Sequence, residues 1–216
     1  MLLSIIRQNQ KLAAKRNPAF DRNRFAKFLI YFMVAFWAAY LIFIGVMLSF
    51  AFEDIFPSME PYHIMNQGLI YLLILDFLLR FMLQPAMSQE IKPYLLMPVK
   101  KNKLVDTLLL QSGISSYNFF WFFLIVPFAL LTIIRFYGFT GILCYLCGIW
   151  LLMAMNSYWY LICKTLLNEK LLYILLPIGV YGLLAGTEFI PEGNPVSTFM
   201  MNLGEGFIEG NILAFL

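Results

Sequence analysis

Long stretches without a charged residue dominate the pattern of hydrophobic and polar positions along this chain. Three of them, 28–52, 107–134 and 136–163, contain no Asp, Glu, Lys or Arg. Each exceeds the roughly 20 residues with which an apolar α-helix crosses about 30 Å of hydrocarbon. Each stretch therefore predicts a transmembrane helix.

Two further apolar stretches complete a predicted set of five spans. The second span, about 64–87, is interrupted by Asp76 and Arg80, and the fifth, about 171–187, is short and rich in glycine. The other three spans are predicted at about 28–52, 105–134 and 139–163. Two glycines in the connection between spans three and four predict a tight reversal. The expected fold of residues 1–216 is a single all-α transmembrane domain, that of a polytopic helical membrane protein.

The two ends of the chain carry amphipathic patterns. In residues 1–27, basic side chains recur every four positions opposite apolar ones. This spacing predicts a basic amphipathic helix on an anionic membrane surface, with a solvated basic tail as the alternative. In residues 196–216, Glu205 and Glu209 disfavour a crossing, since a carboxylate at mid-bilayer costs about 2.5–3.5 kcal/mol. That segment is expected to be an outer re-entrant or interfacial helix, or the start of a sixth span in a chain that is a fragment.

Composition excludes a water-soluble domain. Hydrophobic residues make up 62% of the chain and charged residues 12%, whereas soluble proteins average about 45–50% and about 25%. The formal net charge of +3 is too small to indicate a nucleic-acid partner. All three cysteines lie in one apolar run, so they predict no disulfide framework.

The distribution of basic residues predicts the orientation. Seven Lys and Arg residues precede span one, four lie between spans two and three, and two lie between spans four and five. Cytoplasmic connections carry the excess of Lys and Arg in membrane proteins. We therefore expect a multi-pass membrane protein with its amino terminus in the cytoplasm; the family resemblance given below implies the bacterial cytoplasmic (inner) membrane.

Few side chains in the sequence suggest catalysis. The single histidine, His63, is predicted to be a solvated residue at a helix start, and one histidine excludes a His-rich metal site. The Cys144-x-x-Cys147 pair and the serines of span three, Ser112 among them, are explained by helix packing, because no base accompanies them. No phosphate-binding loop motif is present. We expect no catalytic residue, metal site or cofactor in this chain.

Asp76 and Arg80 are the exception within the apolar sequence. They are four residues apart with the acid first, so they share one helical face and can form an ion pair that lowers the cost of burying each charge. The pair could form a polar lining or a tether between helices. Alternatively, it neutralises itself and only orients span two against its neighbours.

The predicted inner loop, 88–104, combines an apolar cluster with four lysines and two prolines. Such a patch needs to be covered by lipid headgroups or by a partner protein. Its stretch Tyr94-Leu95-Leu96-Met97-Pro98-Val99-Lys100-Lys101-Asn102-Lys103-Leu104 is similar to the inner loop of an uncharacterised branch of bacterial permeases. With the basic helix before span one and the outer segment 196–209, the layout resembles an ABC-2-type exporter permease, the transmembrane subunit of an ABC transporter.

The resemblance implies a mechanical function. A cytoplasmic ATP-binding-cassette ATPase subunit, holding ATP and Mg²⁺, would dock on the inner loop, and a second permease copy or half would complete the path through the membrane lipid. The docking residues it implies are Glu90, Ile91, Lys92, Tyr94 and Leu95.

Two other functions fit parts of the sequence. A non-transporting membrane scaffold or assembly factor could use the same loop to bind a different partner. A lipid-modifying membrane enzyme would need several Asp, Glu, His or Ser side chains at one depth, and only Asp76 is predicted near mid-membrane.

Overall fold

The computed structural model of the chain describes residues 24–84, 101–187 and 194–215, together with Gln8 and Leu12. These residues are mostly helical and include no strand, so the all-α prediction is confirmed for them. Helices α1 to α10 are, in chain order, Arg24–Ile55, Pro61–Gln67, Leu69–Leu83, Lys101–Gly113, Ser116–Phe120, Phe122–Thr132, Ile134–Glu169, Leu175–Gly186, Pro195–Glu209 and Ile212–Phe215.

Two of these helices, α1 and α7, are long and apolar enough to cross a membrane. Two bent helix pairs could each form one further span: α2 with α3, bent by 48°, and the helical segment 102–120 with α6, bent by 62°. The described residues therefore contain two to four candidate spans, which is compatible with a membrane protein. Most of the predicted amino-terminal helix and most of the predicted inner loop lie outside the described residues. Residues 24–27 belong to α1, and residues 101–104 of the loop form the first turn of α4.

The first helix follows the predicted span one and extends to Ile55. Its first half is largely exposed, whereas its second half packs along α6 from Leu41 onward. Gly45 permits the close approach of the two helices, because a Cβ there would overlap the backbone oxygen of Leu124.

The second predicted span begins earlier than expected and is broken. Helix α2 begins at Pro61, a favourable first helical residue because a backbone N–H at that position has no partner within the helix. The chain bends at Gly68, whose N–H bonds the carbonyl of Ile64, and continues as α3 to Leu83. The two helices together cover most of the second predicted span, 64–87, with a bend of 48° between them.

The third predicted span is also interrupted. Helix α4 ends at Gly113, Ser115 is extended (φ −69°, ψ 144°), and the short helix α5 leads through Trp121 into α6. Helix α6 contains Pro127, whose missing N–H removes one hydrogen bond from the helix. The third predicted span, 105–134, thus consists of helical pieces with a bend of 62° at Trp121.

The connection predicted between spans three and four contains a break in the helical backbone. Helix α7, Ile134–Glu169, consists of two helical pieces that meet at a kink at Gly138 (φ 64°, ψ −164°). Glycine adopts a positive φ without the steric cost of a Cβ. The second glycine of the connection, Gly141, instead faces the side chain of Tyr137 and residue Ile208 of α9.

Helix α8 follows a 3-10 turn, Leu171–Ile174. A Cβ at Gly179, Gly182 or Gly186 would meet no atom within 4 Å. These three glycines of the fifth predicted span therefore face open space among the described residues.

Helix α9 is short and lies against α2 and α7. Its 15 residues span only about 22 Å at 1.5 Å per residue. Asn194 caps its start by accepting from the backbone N–H groups of Val196 and Ser197, and Gly210 ends it in the left-handed conformation. The chain then turns into α10, which brings the rings of Phe207 and Phe215 to 5.1 Å.

The main hydrophobic core lies where α2, α3, α6, α7 and α9 meet. Its most deeply buried apolar side chains are Leu69, Ile125, Phe128, Ala129, Ile133, Tyr145, Ile149, Met153, Phe207 and Ile208.

Candidate functional site

Asp76 and Arg80 lie one turn apart on α3 and form a buried ion pair. The Nε of Arg80 donates to Oδ2 of Asp76 at 2.7 Å, and the two residues are 0% and 3% exposed, respectively. Charges buried to this degree are tolerated only where the remaining donors and acceptors also find partners.

The guanidinium of Arg80 connects α3 to two other helices. Its Nη2 donates to Oδ1 of Asn118 on α5 at 2.7 Å, and its Nη1 donates to Oγ of Ser157 on α7 at 3.2 Å. Asn118 and Ser157 are fully buried. The arginine therefore acts as a tether between helices.

The carboxylate of Asp76 accepts two further hydrogen bonds. Trp121, at the junction between α5 and α6, donates its indole N–H to Oδ1 at 2.8 Å. Asn156 of α7 donates from Nδ2 to Oδ2 at 2.7 Å and to the carbonyl of Leu73 at 3.0 Å. Three donors thus surround a carboxylate that is almost completely buried.

Asn118 also stabilises the break that follows α4. Its Nδ2 donates to the carbonyls of Ser112 at 3.2 Å and of Gly113 at 2.5 Å. The last carbonyls of a helix lack partners within that helix, and within a bilayer they find no water. The amide nitrogen of Asn118 thus donates to two carbonyls at the end of α4, while its oxygen accepts from Arg80.

A pair of serines brings α4 against α7 at the same level. The Oγ atoms of Ser112 and Ser157 are 2.6 Å apart, and both residues are fully buried. A Cβ on Gly113 would approach the hydroxyl of Tyr158 to 2.7 Å, so glycine permits this close contact. Tyr181 links α8 to α7, because it donates its hydroxyl to Oδ1 of Asn156 at 2.6 Å.

Side chains of α7 also stabilise the end of α3, immediately before residue 85. Lys164 donates from Nζ to the carbonyl of Phe81 at 2.9 Å, with the ammonium 4.4 Å from the centroid of the Phe81 ring. Tyr160 donates its hydroxyl to the carbonyl of Gln84 at 2.6 Å. A cation at a helix carboxyl end is favoured by the helix dipole as well as by the hydrogen bond.

A second polar cluster seats α9 on α2. Nδ1 of His63 and Oε1 of Glu205 are 2.5 Å apart, with both side chains about one quarter exposed. Deeper in the interface, the hydroxyl of Tyr145 donates to Oδ1 of Asn66 at 2.9 Å. A Cβ on Gly204 would overlap the Asn66 side chain. His63 therefore contacts a distant helix and is not simply a solvated residue at a helix start.

Asp76 and Arg80 are the sequence-predicted residues that the described structure brings together. Glu90, Ile91, Lys92, Tyr94 and Leu95 lie outside the described residues. The partners of the pair were missed: Asn118, Trp121, Asn156 and Ser157. One signal existed, since Asn118 and Asn156 each sit within a charge-free run, and an amide at that depth needs a partner.

The network is suited to holding helices and not to bond chemistry. Each Asp76 oxygen accepts from at least one donor, and the polar side chains around it are buried. Among the described residues, no three His, Cys, Asp or Glu side chains lie close enough to hold a metal ion.

The sequence profile of a family of unknown function, DUF5687, matches residues 10–216. The chain belongs to this family. No curated protein and no solved structure matches the chain. The match covers every helix described above, so the buried network and the seat of α9 both lie within the region that defines DUF5687 membership for this chain.

Proposed function

We propose that this chain is the membrane-spanning permease subunit of an ABC-type exporter. A separate cytoplasmic ATPase subunit would bind ATP and Mg²⁺ and dock on the loop that precedes α4, while this chain itself catalyses no reaction. A second copy or half would complete the transport unit in the bacterial inner membrane, with the amino terminus in the cytoplasm.

The observation that carries this proposal is the hairpin of α9 and α10. Helix α9 is too short to cross about 30 Å of hydrocarbon, yet it packs against α2 and α7 and turns back at Gly210. The resemblance to ABC-2-type permeases implies re-entrant helices on the outer side after the fifth span, and the hairpin follows α8, which lies within the fifth predicted span, 171–187.

The buried network supports the mechanical part of the proposal. Residues 85–100, which contain most of the predicted inner loop, link α3 to α4 in the sequence, and the Arg80 network joins these helices through Asn118 and Ser112. Movement imposed on the loop by an ATPase would therefore act on two helices that are already linked. The linkage supports the assembly-factor function less strongly than the permease function, because an assembly factor does not need to transmit movement between helices.

The test is to purify the tagged full-length chain from its native host in mild detergent, and to assay the eluate for Mg²⁺-dependent ATP hydrolysis. We expect a co-eluting subunit with a phosphate-binding loop, identified by mass spectrometry, and ATPase activity that depends on it. Tyr94→Ala with Leu95→Ala should reduce its recovery. The matched control, Tyr173→Ala with Leu172→Ala, removes the same side-chain atoms at an exposed site elsewhere and should not.

Two outcomes would contradict the proposal. Purification without any phosphate-loop subunit and without ATPase activity would favour the scaffold function. Equal recovery of the ATPase with both double variants would reject the docking residues Tyr94 and Leu95.

A further inference from the structure

A cavity of about 630 Å³ lies beside the buried network. Its walls are formed by α3, α7, α8, α9 and α10, with Leu152, Leu184 and Leu203 on three of these helices. The volume falls within the range of about 300–1,000 Å³ that is typical of small-molecule sites.

The chemistry of the walls restricts the occupant. The described residues that line the cavity include no Asp, Glu, Lys, Arg or His. The polar groups at the wall are Asn156, Trp159 and Tyr181. Asn156 and Tyr181 bond each other, whereas the indole N–H of Trp159 has no acceptor among the described residues. A chain of methylene groups fits such walls, and a charged group does not.

The opening of the cavity indicates where the occupant comes from. Several lining side chains are exposed and apolar, among them Met155, Phe199 and Leu213 at 66%, 60% and 79%. In a chain that crosses a membrane, exposed apolar side chains of this kind face lipid hydrocarbon. The cavity is thus continuous with a surface that lipid chains already cover.

We propose that this cavity binds one acyl chain of a bilayer phospholipid, which enters sideways between α8 and α9. Because Asn156 lines the cavity and donates to Asp76, the wall of the cavity lies one hydrogen bond from the Arg80 ion pair. This inference goes beyond transport and does not depend on an ATPase partner.

The test uses the full chain in phosphatidylethanolamine and phosphatidylglycerol vesicles that contain a phospholipid with a diazirine at the end of one acyl chain. After irradiation, mass spectrometry maps the adducts. We expect adducts on cavity residues of α7 and α9, normalised to those on the exposed face of α1, which serves as an internal measure of general lipid contact.

Filling the cavity provides the decisive comparison. Leu184→Trp places an indole into the cavity, whereas Leu183→Trp adds the same group at the neighbouring position, which is 76% exposed and does not line it. We expect Leu184→Trp to lower the normalised cavity adducts several-fold and Leu183→Trp to leave them unchanged. Leu152→Phe is a second filling variant, used if Leu184→Trp gives no folded protein.

Three results would overturn the proposal. Cavity adducts could be absent while α1 is labelled, or the filling variants could match the wild type. In a further experiment the diazirine is carried by a residue of the cavity wall. If that residue cross-linked to a second copy of the chain, a helix of that copy, and not a lipid, would cover the opening. If no ATPase subunit co-purified with the chain and lipid adducts still formed in the cavity, the transport proposal would fail and the lipid site would remain.

Discussion

Trp121 donates its indole N–H to Asp76 at 2.8 Å, although 45 residues separate them in the chain. One turn further along α3, Arg80 bonds Asn118, which lies three residues before Trp121. Two contacts, one helical turn apart on α3, therefore join α3 to the interrupted part of the third predicted span, 105–134. The ion pair and the interruption depend on each other, because each supplies partners that the other requires.

Replacing Asp76 by Asn should strongly reduce the amount of folded protein. The substitution leaves the Arg80 charge buried without its counter-charge, and breaking a buried pair costs about 3–5 kcal/mol. Recovery of monodisperse protein in detergent, with its thermal midpoint, measures the effect. The control is Glu53→Gln, which breaks the exposed ion pair with Arg135 and should cost about 0–1 kcal/mol. Equal losses in the two variants would contradict a special role for the buried pair.

Asn118→Ala should destabilise the protein by about 1–3 kcal/mol, since it removes the donor to the Gly113 carbonyl and the acceptor of an Arg80 donor. The Ser112 carbonyl keeps the hydroxyl of Ser157 and the backbone N–H of Ser115 as donors. Thermal unfolding in detergent checks this expectation. Asn202→Ala removes the same atoms at an exposed position of α9 and should change the midpoint little. If the two variants unfold alike, the amide of Asn118 does not stabilise the break.

Alanine at Gly148 or Gly204 should loosen the seat of α9. A Cβ at Gly148 would overlap the ring of Phe207, and one at Gly204 would overlap Asn66, and such overpacking typically costs about 1–3 kcal/mol. Limited proteolysis near α9, together with thermal unfolding, reports the change.

The matched control for these glycines is Gly182→Ala. Its Cβ would meet nothing within 4 Å, and alanine is favoured over glycine in a helix by about 0.8–1.0 kcal/mol. We expect unchanged or higher stability. A destabilisation as large as that of Gly148→Ala would show that α8 has a close neighbour at that face.

Lys164→Met should fray the end of α3. The variant keeps an apolar stem but loses the donor to the carbonyl of Phe81, so amide exchange at residues 81–84 should become faster by several-fold. Hydrogen exchange followed by mass spectrometry measures it. The comparison is Lys170→Met, which lies at an exposed position after α7. Unchanged exchange in Lys164→Met would mean that Tyr160 alone holds this end.

Local patterns predicted local features well. The charge-free run over 28–52 gave the right helix for α1, because a long apolar run has few alternatives in a membrane. The ion pair of Asp76 and Arg80 followed from their spacing on one helical face. Both conclusions required only neighbouring residues.

Features that depend on distant partners were missed. The break near Ser115 is stabilised by Asn118, whose acceptor oxygen is satisfied by Arg80, 38 residues earlier. The hydropathy pattern of residues 105–134 does not predict that contact, because it depends on a residue outside this stretch. Similarly, the single His63 reveals nothing of Glu205, which is 142 residues away.

The seat of α9 has a consequence for the order in which the chain assembles. Asn66 of α2 and Tyr145 and Gly148 of α7 are synthesised before Phe207, the side chain that lies against Gly148. During synthesis the groove between α2 and α7 therefore forms without its occupant. Because α9 is too short to insert as an independent span, it enters a groove that already exists. We therefore expect the docking of α9 to follow the insertion of α2 and α7, at a rate that depends on how completely the groove between them has formed.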